Sequence, residues 1–175
     1  MKRLIFPLIL FVLLVSEGVA LDLLPSSLTA SDTLIVPHWV LMFLVLLTLF
    51  YDTNDSFFSI MYGVAFGLLI DVVYTNILGG YMFAYPFAIY IVHLLKRLLQ
   101  TNLTMTIIIA SIGILITELL LYFVYSIVGA IDAAMSDFLL SRFLPTLLAN
   151  ILFLIPAYVL SAKWLQRWGQ EQFGS

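Results

Sequence analysis

Residues 103–125 read LTMTIIIASIGILITELLLYFVY, an apolar run in which Glu118 is the single charged residue. At a helical rise of about 1.5 Å per residue, a run of this length crosses the roughly 30 Å hydrocarbon core of a membrane. The rest of the chain has the same character, because 63% of its 175 residues are hydrophobic and only 10% are charged. The sequence therefore predicts an integral membrane protein.

Similar apolar runs on both sides of this stretch predict an all-α, polytopic protein with about six transmembrane helices in one domain, residues 1–175. The expected spans are 4–24, 34–51, 57–73, 80–95, 103–125 and 143–162. The third and fourth are short and share the connector 74–79. They are therefore either two spans or one broken element packed inside protein.

The basic residues predict the orientation, since Lys and Arg near the ends of spans stay on the cytoplasmic side. With six spans, most of them collect on one side of the membrane, namely Lys2, Arg3, Lys96, Arg97, Lys163 and Arg167. Arg142 falls on the other side, where the acidic residues Asp22, Asp32, Asp132 and Asp137 also lie. We therefore expect both termini to be cytoplasmic.

The N-terminus also imitates a cleavable signal peptide. Lys2 and Arg3 precede the apolar run 4–15, and small residues follow at 18–20. Glu17 beside the would-be cleavage site fits that pattern less well. We expect the first helix to be retained.

Known catalytic signatures are missing from the sequence. It has no Walker-type phosphate loop, no His-Glu-x-x-His pair, no Gly-x-Ser-x-Gly elbow and no cysteine. His38 and His93 are expected near opposite membrane faces, each packed or interfacial, so they should not share a metal. A net charge of −3 gives no footprint for nucleic acid. The sequence predicts a protein that is not an enzyme and has no catalytic residues, cofactor or metal.

Three carboxylates lie inside the predicted spans, where an ionised group costs about 3 kcal/mol or more. Counted from the cytoplasmic ends, Glu17, Asp71 and Glu118 lie about 20 to 23 Å in, which is the outer half of the membrane. Arg142 and Asn150 reach the same level from the outer end of the sixth span. We therefore predict an outer polar layer of Glu17, Glu118, Arg142 and Asn150. It serves either as a docking or small-ligand site or only for local helix pairing.

The third span carries a face of small residues. Gly63, Gly67 and Asp71 recur every four residues, so they share one side of a helix that another backbone can approach closely. Packing within the chain and docking of a partner helix both fit this pattern. Asn76 and Gly79 then suit backbone outside the helical region. Our hypothesis is a partner-binding site at Gly63, Gly67, Asp71 and Gly79.

The run GVAFGLLID at 63–71, followed by YTNILG at 74–79 and YMF at 81–83, resembles the bacterial rod shape-determining MreD family. Three further features agree with that family in order and spacing: Val36-Pro37 before the second span, Thr101-Asn102 before the fifth, and RFLPT at 142–146. The resemblance covers nearly the full chain.

This resemblance implies a scaffold in the inner membrane of rod-shaped bacteria, within the elongation machinery (elongasome) that regulates cell shape and lateral peptidoglycan synthesis. The implied partner is MreC, a single-span protein with an external coiled coil, bound through transmembrane helices. MreB, RodA and a class B penicillin-binding transpeptidase belong to the wider assembly, and membrane lipid surrounds it.

The family resemblance also implies a fold similar to the substrate-binding subunits of energy-coupling-factor transporters. That leaves a second function open. In it, the chain is the substrate-binding membrane subunit of a transporter for a small, vitamin-like molecule, and the outer polar layer binds the solute.

Overall fold

The computed structural model describes residues 4–22, 34–75, 77–98, 102–130 and 134–173. All regular structure in these ranges is helical, which confirms the all-α prediction. The helices are α1 (Ile5–Asp22), α2 (Trp39–Phe50), α3 (Phe58–Tyr74), α4 (Gly80–Lys96), α5 (Leu103–Ile127), the single turn α6 (Met135–Phe138), a π turn (Leu139–Phe143) and α7 (Leu144–Phe173). Several residues used in the sequence argument lie outside the described ranges, namely Lys2, Arg3, Asp32, Asn76, Thr101 and Asp132.

Two stretches are long and apolar enough to cross a membrane as single helices: Leu103–Ile127 and the continuous helix Met135–Gln172. Shorter apolar helices cover Ile5–Ala20, Trp39–Phe50 and Phe58–Tyr74. α3 and α4 are two separate helices. The residues that the structure describes therefore form six helical columns, the last of which consists of α6, the π turn and α7.

α2 is the central helix of the bundle. Its residues 40–49 are all buried, and it packs against α1, α3, α4, α5 and α7. This burial follows from its sequence, because a helix that is apolar all round has no face suited to water. The 12 residues of α2 span only about 18 Å, less than the 34–51 span that we expected.

The missing part of that span is irregular backbone, residues 34–38. Pro37 disfavours helical backbone at Val36, so the helix does not extend back through that residue, and it begins at Trp39. The Val36 N–H donates to Thr146 Oγ1 at 3.1 Å, and Asn150 Nδ2 donates to the Val36 carbonyl at 2.9 Å. Irregular backbone is tolerated at membrane depth where protein groups satisfy it in this way.

α7 continues to Phe173, well beyond the expected end at 162. Near this end a Cβ on Gly169 would lie 2.9 Å from the carbonyl oxygen of Tyr51, just after α2. The Phe6 ring of α1 packs on Tyr51 and Trp164, with ring centroids 4.6 and 6.4 Å away. The start of α1 and the ends of α2 and α7 therefore meet at one end of the bundle.

Hydrogen bonds hold the loop after α2 against the C-terminal end of α4, at this same end of the bundle. Lys96 Nζ donates to the Asp52 carbonyl, and Arg97 donates to the Asn54 carbonyl at 2.6 Å. Burial raises the pKa of the Asp52 carboxyl, while hydrogen bonds from Ser59 act in the opposite direction. The expected basic pair at the end of the fourth span thus holds a loop of the same chain.

Candidate functional site

The small-residue face of α3 is packed against α4. A Cβ on Gly63 would lie 3.3 Å from Pro86 Cα, and a Cβ on Gly67 would lie 2.5 Å from the carbonyl oxygen of Tyr81. Real Cβ atoms do not approach a backbone oxygen that closely. The two glycines therefore let the backbones of α3 and α4 come into direct contact.

Asp71, on the same face, is fully buried and caps the start of α4. Its carboxylate accepts backbone N–H bonds from Gly79, Tyr81 and Met82, each at 2.9 Å. The positive end of the α4 dipole stabilises the negative charge. Gly79 has a φ of 102°, a left-handed conformation that favours glycine, and this directs its N–H at the carboxylate.

These contacts place most residues of the hypothetical partner-binding site within the packing of the chain itself. Gly63, Gly67 and Asp71 contact α4 of the same chain, and Gly79 donates to Asp71. A partner helix could not reach this face without displacing α4. The spacing indicated a helix–helix contact, but the contact is internal.

The outer polar layer is built around the start of α2. Glu118 on α5 is fully buried and bonds two side chains at 2.8 Å, the Nε2 of His38 and the Nε of Arg142. The other ring nitrogen of His38 lies 3.0 Å from the hydroxyl of Tyr85. An ion pair and a hydrogen-bonded chain therefore connect α4, α5, the start of α2 and the π turn.

Glu17 and Asn150 contact the backbone of the same region. Glu17 accepts the Val40 N–H at 2.7 Å, so it caps α2 from α1. Asn150 accepts the His38 N–H at 2.7 Å and donates to Val36. Of the four residues predicted for the layer, Glu118 and Arg142 bond each other, whereas Glu17 and Asn150 hold backbone beside them.

Sequence reasoning missed two members of this network. His38 was expected only as a packed or interfacial residue, and Tyr85 lies in an aromatic run that resembles an interfacial belt. A weak signal was present for His38, because it follows Pro37 and directly precedes a helix that is apolar except for Thr48. A polar side chain at that position needs buried partners, and the carboxylates Glu17, Asp71 and Glu118 inside the predicted spans were candidates.

Two hollows border the 34–38 segment. The outer cavity has a volume of about 400 Å³, and its wall includes Glu17, Arg142 and the side chains of Tyr81, Tyr85 and Tyr125. The apolar groove has a volume of about 300 Å³, and its wall includes Ala20, Pro37, Trp39, Ala149 and Phe153. Among the described residues, no three His, Asp or Glu side chains are grouped to hold a metal ion.

Comparison with known proteins identifies the family. The family model for rod shape-determining protein MreD matches residues 2–168. The chain belongs to the MreD family. Rod shape-determining protein MreD of Bacillus subtilis (strain 168) is 28% identical over 151 residues, which cover 86% of each chain. No solved structure matches, so the likeness of MreD to energy-coupling-factor subunits stays a prediction.

Membership of the MreD family makes this chain a membrane protein of the rod-shape system. In the described structure the carboxylates buried between the helices have structural roles. Asp71 caps α4, Glu17 caps α2, and Glu118 pairs with Arg142 and His38. These groups position backbone and helices.

Proposed function

We propose that this MreD family member is a non-enzymatic scaffold of the bacterial elongation machinery, acting in cell-shape determination and lateral peptidoglycan synthesis. One observation carries the proposal. The three carboxylates inside the bundle are engaged by backbone N–H groups or by side chains of the chain itself. The apolar outer faces of the helices then remain as surfaces through which the protein organises others.

We propose that the scaffold lies in the inner membrane with six spans and both termini in the cytoplasm. Two findings support this orientation. Lys96 and Arg97 bind the loop after α2, and the part of α7 that carries Lys163 and Arg167 ends beside Tyr51 at that same end. Arg142 lies at the opposite end of α7.

We propose that MreC binds through its single transmembrane helix, and that MreB, RodA and a class B penicillin-binding transpeptidase join through the wider assembly. Since α4 covers the Gly63 face, we assign the MreC helix to the apolar groove. Ala20 and Ala149 leave room there for a second backbone. The rings of Trp39 and Phe153 stack with centroids 4.9 Å apart and form a firm wall.

The test is recovery of partners from cells. The chain is tagged, crosslinked in its native membrane, extracted gently and analysed by mass spectrometry. We expect a single-span coiled-coil protein together with a glycan polymerase. Ala149→Trp, which fills the groove, should lower recovery of the coiled-coil protein by about tenfold or more. Leu148→Trp is the control, because Leu148 is 62% exposed and lies outside the groove wall.

The transporter function remains the second candidate, because the outer cavity is large enough for a small solute. Recovery of ATPases with an energy-coupling subunit, in place of wall-synthesis proteins, would replace the scaffold proposal with this one. Equal recovery of the coiled-coil protein with both tryptophan variants would keep the scaffold function and reject the groove as its site.

A further inference from the structure

The outer cavity differs from ordinary gaps between membrane helices. Its volume of about 400 Å³ is within the range of small-molecule sites, roughly 300 to 1,000 Å³. Its wall is assembled from α1, α3, α4, α5, the 34–38 segment and the π turn. A hollow at the meeting point of so many elements keeps its shape, so its ligand would find a preformed site.

Arg142 gives this wall a cation with donors to spare. Its Nε donates to Glu118, and this bond fixes the plane of the guanidinium. Within the described residues, Nη1 and Nη2 form no further hydrogen bond. A guanidinium has five N–H donors, and its free edge matches the two oxygens of a phosphate or carboxylate.

Glu17 gives the same wall an acceptor. It is 4% exposed, and its backbone partners at the start of α2 use only part of its hydrogen-bonding capacity. A carboxylate in this setting favours a ligand that brings both positive charge and N–H donors. A protonated primary amine supplies both.

Tyrosine rings complete the wall between these two groups. Tyr81 and Tyr85 lie edge to face with centroids 5.4 Å apart, and Tyr125 also lines the cavity. Aromatic faces accommodate the methylene groups of a ligand, and they attract an ammonium group. The wall therefore suits a molecule with an anion at one end, a short aliphatic link and an amine at the other.

We propose that the outer cavity binds a phosphoethanolamine group, with its phosphate at Arg142 and its ammonium at Glu17. The group could be the headgroup of phosphatidylethanolamine or free phosphoethanolamine, which have this chemistry in common. The site is distinct from the apolar groove and does not depend on the scaffold function. Failure of one proposal leaves the other standing.

The experiment measures the thermal unfolding of the purified full chain in detergent with four ligands. Dioctanoyl phosphatidylethanolamine should raise the midpoint temperature of unfolding. The concentration that gives half of the maximal shift should be at least about tenfold lower for this lipid than for the phosphatidylcholine and phosphatidylglycerol lipids of the same chain length. Dioctanoyl phosphatidylcholine retains the charges but has no N–H donor, and dioctanoyl phosphatidylglycerol has the phosphate but no amine. Free phosphoethanolamine identifies the source: a matching saturable shift indicates a solute, and a shift with the lipid alone indicates a membrane headgroup.

Three variants connect the effect to the cavity. Glu17→Gln retains an oxygen for the Val40 N–H but removes the charge, so the preference for the ethanolamine ligand should disappear. Ala130→Leu enlarges a side chain of the cavity wall and should weaken the preferred ligand about tenfold. Ala134→Leu is its control, an exposed alanine of the same connector that does not line the cavity.

Equal saturation by the three lipids in the unaltered chain would overturn the proposal. So would unchanged ethanolamine binding in Ala130→Leu. If Glu17→Gln fails to fold, the Ala130→Leu and Ala134→Leu pair still decides the question.

Discussion

At Asp71 one carboxylate sets the position of two helices. Its three N–H partners come from residues 79, 81 and 82, so the side chain reaches across the connector to the first turn of α4. Each bond compensates part of the cost of a buried charge, and the helix dipole compensates more. The charge in the membrane region is therefore explained by fold geometry at the scale of a single residue.

Gly67 is the residue at which added volume should matter most. Gly67→Ala puts a methyl group 2.5 Å from the Tyr81 carbonyl oxygen and 2.9 Å from Met82 Cα, both of which are backbone atoms. We expect the free energy of unfolding to fall by about 1 to 3 kcal/mol, because α3 and α4 must separate. The measurement is denaturant unfolding in detergent, followed by circular dichroism.

Gly113→Ala is the matched control for that experiment. Its new methyl group would meet only side-chain atoms, the nearest 3.5 Å away on Val92. Helix propensity favours alanine over glycine by about 1 kcal/mol, so this variant should be as stable as the unaltered chain or more so. Equal loss of stability in both variants would contradict the close approach of α3 and α4.

The sequence predicted these residues better than it predicted their partners. Gly63, Gly67 and Asp71 share a face because helical spacing alone requires it. Whether α4 or another protein covers that face depends on tertiary packing, and small residues at this spacing suit both. The cap formed by Asp71 was not predictable either, because its donors lie at and just before the start of another helix.

At the scale of elements, the start of α2 depends on three neighbouring helices. Glu17 of α1 binds its first turn, Asn150 of α7 binds His38, and Glu118 of α5 binds the His38 ring. The preceding segment, residues 34–38, is irregular backbone. α7 therefore provides the polar partners that let a short central helix begin inside the bundle.

The ion pair between α5 and the π turn should show strong coupling between its two partners. Arg142→Gln leaves Glu118 buried without its cation, and we expect the free energy of unfolding to fall by about 3 kcal/mol. Glu118→Gln together with Arg142→Gln removes both charges and should recover part of that loss. Denaturant unfolding of the single and double variants measures the coupling. Additive effects of the two substitutions would indicate that the pair contributes little.

The start of α2 could not be predicted from hydropathy. The run 34–51 is apolar apart from His38 and Thr48, so hydropathy predicts one span, but the helix covers only Trp39–Phe50. The Pro37 signal was present, yet the side chains that support extended backbone there come from more than a hundred residues away. Hydropathy measures transfer into lipid and does not register such partners.

For the whole molecule, the orientation can be measured directly because the natural chain contains no cysteine. Leu98→Cys and Val128→Cys place single thiols at positions that are 78% and 59% exposed, the first just after the end of α4 and the second just after the end of α5. We expect a membrane-impermeant maleimide to label Val128→Cys in intact spheroplasts and Leu98→Cys only after permeabilisation. The reverse pattern would invert the proposed orientation.

Only part of the architecture of the bundle could be predicted from the sequence. Composition and run length predicted an all-helical membrane protein, because burial in lipid demands long apolar stretches. The order in which the columns pack was not predictable, since lipid-facing and protein-facing positions are equally apolar in such helices.

The π turn has a consequence for the permitted length of the chain. Two contacts with α5 flank its first turn: the Phe138 ring, directly before it, lies 4.6 Å from Tyr122, and Arg142, near its end, bonds Glu118. A π turn holds more residues than an α turn, so it is equivalent to a one-residue insertion. Deleting Leu140 would restore α geometry and rotate Phe138 about 100° away from its partner, while Arg142 stayed with α7. A chain with a shorter π turn would therefore lose either the Phe138 contact or the Arg142 bond. Only a matching change in the number of residues on both sides of the turn would retain both.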